Sequence, residues 1–138
     1  MERVPVLKIG DILLVSIQDD MEDQVALQLQ EDLADRIVAT GSHGVIIDIS
    51  ALDIVDSFVG RTLATIAGVS KVLDAETVVV GMRPAVAITL VELGLSLPGI
   101  RTALNVELGM EMLARQRAAE EDLGIDEGED DEPAVTVP

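Results

Sequence analysis

Apolar residues recur along this chain with two spacings, and the spacing switches repeatedly between them. Leu7 to Ile9 and Ile12 to Ile17 are short strand-forming runs separated by Gly10-Asp11, a pair suited to a tight turn, and they predict a β-hairpin. From Gln24 the apolar positions fall three and four residues apart. Val25, Leu29, Leu33 and Ile37 line one face, Ala26 and Leu27 widen it, and Gln28, Glu31, Asp32, Asp35 and Arg36 take the polar side. This predicts a first helix, capped by Asp20 or Asp23 and closed near Gly41. Val45, Ile46, Ile47 and Ile49, interrupted only by Asp48, predict a central strand buried on both faces.

The helical spacing returns from Ser57 to about Leu73. Phe58, Leu63, Ile66, Val69 and Leu73 share its apolar side, and Gly60, Ala64, Ala67 and Gly68 thin the helix for close packing. Thr77 to Gly81 is a further buried strand. Pro84 suits the first turn of a helix that carries Val86, Ile88, Leu90, Val91 and Leu93 before Gly94 ends it. Ile100 to Leu104 reads as a last short strand, and Asn105 caps a final helix with Leu108, Met112 and Leu113 facing inward. Strands alternating with helices indicate an α/β fold, a mixed and mostly parallel sheet of about five strands with four helices.

After Arg117 the periodicity is lost and acidic residues accumulate, nine of them with no Lys or Arg from Ala118 to Pro138. The expected organisation is one domain over residues 1–117 and a disordered acidic tail over 118–138. With 49% hydrophobic residues in 138, the chain can build one core without staples. The absence of cysteine removes disulfides, thiolate nucleophiles and cysteine-held metals, and fits a cytoplasmic protein. The N-terminus lacks the features of a signal peptide, and no apolar run approaches the roughly 18 residues of a membrane span. A formal charge of -17, one Phe and no Trp or Tyr argue against nucleic acid, which would meet a repulsive surface without a stacking platform.

Few residues offer catalytic chemistry. The single histidine, His43, lies in the turn GSHG before the central strand, at the opposite end of that strand from Ser57, and reads as an ordinary exposed turn residue. No glycine-rich phosphate loop is present. Asp19, Asp20, Asp48, Asp53 and Asp56 all fall near the C-terminal edge of the predicted sheet, where α/β ligands bind and where Mg²⁺ would find oxygen ligands. Solvated loop acids are the plainer reading for most of them, so neither metal nor cofactor is expected. A phosphoreceiver domain modified on Asp48 is an alternative, but its required lysine has only Arg101 as a counterpart.

Ser57, in DIVDSFVGRTL, is the most informative residue. As a helix N-cap alone it would stabilise its helix by about 1 kcal/mol. Its setting adds more: Asp56 before it, Phe58 after it and acidic loops around it. A phosphate there would bring roughly −1.5 to −2 charges against like charge, while the helix N-terminus welcomes an anion. The fold would tolerate such a phosphate and a docked partner would not. This points to a phosphorylation-controlled binding module, not an enzyme.

The segments PVLKIGDILLVSIQ, DQVALQLQEDLADRI, GVIIDIS, DIVDSFVGRTLA and GMRPAVAITLVELG together resemble the RsbS family of stand-alone STAS proteins of the stressosome, related to the bacterial anti-anti-sigma factors. The likeness runs from about Val4 to Arg115. Where anti-anti-sigma factors tend to carry a second serine and a glycine after the phosphoacceptor, this chain has Phe58 and Val59, which favours the stressosome branch. The resemblance implies a STAS (SpoIIAA-like) fold and assembly with RsbR-like STAS paralogues, with room for self-association. It also implies capture of an RsbT-like serine kinase that phosphorylates Ser57 and is thereby released, and resetting by an RsbX-like phosphatase. Asp56 and Phe58 are then the expected kinase contacts, with Asp19 and Asp20 on the neighbouring loop. A passive or ligand-binding STAS module is the competing reading.

Overall fold

The computed structural model describes residues 3–18, 21–94 and 100–128. Among them the elements are β1 (Leu7–Ile9), β2 (Ile12–Ser16), α1 (Asp23–Thr40), β3 (Gly44–Asp48), α2 (Ser57–Val72), β4 (Glu76–Val80), α3 (Pro84–Glu92), β5 (Ile100–Ala103) and α4 (Val106–Gly128). The strands form one sheet in chain order, β1-β2-β3-β4-β5, with β3 at its centre. The hairpin partner β1 runs antiparallel to β2, and the other three pairings are parallel. This is the mixed, mostly parallel α/β sheet that the alternating spacings predict.

Chain order in the sheet has a geometric consequence. From β2 to β5 every crossover moves one strand further in the same direction, so right-handed connections place all three connecting helices on one face. The core confirms this placement. Leu13, Val15, Val45, Ile47 and Val79 pack with Leu29, Leu33 and Ile37 of α1, Leu63 and Ile66 of α2, and Val86 and Leu90 of α3. The alternate strand residues Ile12, Ile46, Val78 and Val80 point to the other face, where Leu113 of α4 covers them with Val106, Met110 and Met112. Gly109 permits that cover: a Cβ there would sit 3.0 Å from Val80 Cγ1. Burial on both faces is why β3 reads as an unbroken apolar run.

Several local expectations are corrected. The N-cap of α1 is Glu22, in extended conformation and without a side-chain cap bond, while Asp23 is already helical; Asp20 lies outside the described residues. Leu27 is 60% exposed because it lies about 200° around the helix from Leu29. Gly68 faces open space and assists no packing. In α3 only Val86 and Leu90 are buried, and Ile88 and Val91 are exposed, since the sheet touches one side of that helix. Leu108 is likewise 39% exposed. The helix α4 continues past Arg117 to Gly128, where a disordered tail was expected from residue 118. Ala118, Ala119, Glu120 and Glu121 are strong helix formers, and Arg117 pairs with Glu121 one turn on, so acidity alone did not end the helix. Residues 129–138 lie outside the described residues.

Candidate functional site

The loop from Ile49 to Asp56 leaves β3 at the C-terminal edge of the sheet and delivers the chain to α2. Its first turn is built by Asp48, whose Oδ1 accepts from the Ser50 backbone N–H at 2.9 Å. Gly81, leaving the adjacent strand β4, packs against that turn with φ +76; a Cβ there would lie 2.8 Å from Ser50 Cβ and 3.0 Å from Asp48 Oδ1. Arg83 then ties the loop to the start of α3, with Nε donating to the Ser50 carbonyl at 3.1 Å and Nη1 to the Asp53 carboxylate. Leu52 and Val55 are buried beneath, while Ile54 projects with 80% exposure. The loop is therefore anchored at both ends and in its middle.

At the end of this loop the structure corrects the expected cap. Asp56, in extended conformation, is the N-cap of α2 and its Oδ1 accepts from Val59 N–H at 3.0 Å. Ser57 is the first helical residue. Because Asp56 performs the capping, the Ser57 hydroxyl makes no hydrogen bond among the described residues, and the side chain is half-buried. Phe58, next to it, is also half-buried and so presents part of its ring at the same edge. A hydroxyl without a structural task, one residue past an acidic cap and beside an aromatic, is chemically available for modification. The first-turn N–H groups nearby favour an added anion, and the Asp56 carboxylate opposes it.

The structure brings Asp48, Asp53, Asp56, Ser57 and Phe58 to one edge of the sheet, as the sequence implied; Asp19 and Asp20 lie outside the described residues. Arg83 and Ile54 belong to this edge as well, and sequence reasoning missed both. Arg83 carried the signal of a basic residue directly before a helix-opening proline at a strand exit. No group of three or more His, Asp or Glu among the described residues is arranged to hold a metal ion. Arg101 donates to Gln116 of α4 at 2.9 Å and so does not serve Asp48. Ligand crevices in α/β sheets open where the strand order reverses, and β2 to β5 never reverse.

His43 sits just before β3, a strand length of about 15 Å from the Ser57 edge, so His43 and Ser57 do not form a pair. It is half-buried under α4 with both ring nitrogens buried and unpartnered among the described residues, beside Glu76, Leu113, Gln116 and Arg117, not exposed as an ordinary turn residue would be. Nearby, the Lys71 ammonium is held above the usual lysine range by its hydrogen bond to Glu76. No helix among the described residues is long and apolar enough to cross a membrane.

With this geometry in view, the STAS domain family matches residues 3–108. A serine-to-glutamate variant of Moorella thermoacetica RsbS superposes with a TM-score of 0.74 at 42% identity, covering 85% of this chain and 99% of that one. A chain of a stressosome structure superposes with a TM-score of 0.73, also at 42% identity, over 82% of this chain and 98% of its own length. The RsbT co-antagonist RsbRA of Bacillus subtilis is 25% identical over 108 residues, 78% of this chain; this chain spans 39% of the RsbRA length. The chain belongs to the STAS-domain family and is RsbS-like within it.

Proposed function

We propose that this chain is a stressosome scaffold subunit that captures an RsbT-like serine kinase and releases it when Ser57 is phosphorylated. The supporting observation is the Ser57 hydroxyl at the first helical position of α2, which caps nothing and bonds to nothing among the described residues. In the captured state Asp53, Asp56, Ile54 and Phe58 offer a mixed acidic and apolar contact edge, and Asp19 and Asp20 are further acidic contacts in this reading. The Ser57 oxygen attacks the γ-phosphorus of ATP held by the kinase, ADP departs, and the hydroxyl proton passes to a kinase base. The product places a phosphate beside Asp56 at the docking edge, and the kinase is repelled from a surface it previously fitted.

The 42% identity to RsbS and to a stressosome chain over nearly their full lengths supports assembly with RsbR-like STAS proteins in a large complex. An RsbX-like phosphatase restores the hydroxyl. The protein itself performs no catalysis in this scheme, and it works in the cytoplasm with its kinase. The test is transfer of phosphate from the cognate kinase and Mg-ATP, read by intact mass and peptide fragmentation. One acid-stable phosphate per chain on Ser57, absent from Ser57→Ala, is expected. Unchanged stoichiometry in Ser57→Ala overturns the site, and an acid-labile phosphate on Asp48 would favour a phosphoreceiver.

A further inference from the structure

We propose that Arg61 is the intramolecular counter-charge for a phosphate on Ser57, a pairing that rests on the reading of Ser57 as the phosphoacceptor. Arg61 lies four residues after Ser57 on α2, one turn further along the same face. Residues so spaced have Cβ atoms about 5–6 Å apart, and the favourable orientation places the negative group N-terminal to the positive one. Helical side chains lean toward the N-terminus, so the long Arg61 side chain covers the turn that holds Ser57.

The state of the other cations sharpens the assignment. Among the described residues, every Lys and Arg donates to a partner except Arg61 and Arg115. Arg83, the other cation at this edge, is already engaged by Ser50 and Asp53. Arg61 is exposed. It is therefore a guanidinium without a task, one helical turn from a hydroxyl without a task. Among the described residues, the charged groups of the loop and of the start of α2 are Asp56 at the cap, Asp53 and Arg83 in and beside the loop, and Arg61 on the helix. Arg61 offsets the repulsion from Asp56 and leaves the fold intact, while holding the phosphate at the edge where a partner docks.

The test encodes phosphoserine at position 57, so that the phosphate is present whether or not a kinase recognises the protein. Phosphorus NMR then reads the pH midpoint of the second phosphate ionisation, ordinarily near 6. The native background is compared with Arg61→Gln, Arg61→Lys and the control Arg115→Gln. Loss of the pairing in Arg61→Gln is expected to raise the midpoint by about 0.2–0.4 pH unit, because a cation favours the dianion. Arg61→Lys should restore most of the difference and Arg115→Gln should change nothing. A midpoint in Arg61→Gln equal to the native one, an equal rise in Arg115→Gln, or failure of Arg61→Lys to restore it overturns the pairing. Failure of the kinase to modify Ser57 would instead overturn the switch and leave this measurement valid.

Discussion

Two adjacent residues divide the work at the start of α2. Asp56 supplies the cap bond to Val59 N–H, and the Ser57 hydroxyl makes no hydrogen bond among the described residues. Removing the acceptor in Asp56→Ala should cost about 1 kcal/mol of stability, and Asp56→Asn, which retains an acceptor oxygen, should cost little. Thermal unfolding of the two variants checks this, and equal losses would contradict the division of roles. Comparing kinase capture by Asp56→Asn and by the native protein then isolates the carboxylate charge from the cap. The sequence identified Ser57 as the residue of interest but assigned it the cap. In an Asp-Ser pair both side chains can cap, and the extended backbone at Asp56 decides between them. Arg83 was not legible because its partners, Ser50 and Asp53, are more than thirty positions and about thirty positions away in sequence.

At the scale of elements, the position of Ser57 depends on a turn made by two neighbouring strands. The Asp48-Ser50 bond starts the loop, and Gly81 fits against it in a conformation that side chains other than glycine adopt at a cost of roughly 1–2 kcal/mol. Gly81→Ala adds a collision with Ser50 to that cost. It should lower the melting temperature and slow phosphate transfer to Ser57 more than a surface substitution of equal stability effect. Undiminished transfer in Gly81→Ala would show that the turn does not position the site. The elements themselves were readable: alternating apolar spacings gave the order of strands and helices because β2, β3, β4 and the helices each have a face to bury, whereas β1 is exposed along its length. What failed was the assumption that every apolar residue on a helix points inward. Leu27, Ile88 and Val91 face out, since the sheet covers one arc of each helix and α3 is short. The extension of α4 to Gly128 was missed for the opposite reason, because its charges were weighed and its helix formers were not.

For the molecule as a whole, a sheet in chain order with three helices on one face and α4 on the other leaves no crevice at a strand reversal. Its C-terminal edge carries Asp53, Ile54, Asp56, Ser57 and Phe58. The formal charge of -17 gives that surface an acidic field, and an added phosphate deepens it. The coupling between modification and release is measured in one sample. The complex of native protein and kinase is given Mg-ATP, and at each time the fraction of kinase still bound is read by size-exclusion chromatography beside the fraction of Ser57 phosphorylated. Bound kinase should fall in step with phosphate on Ser57, with Ser57→Ala retaining its kinase throughout. Kinase that stays bound to fully phosphorylated protein, or leaves Ser57→Ala at the same rate, would contradict a switch at this serine.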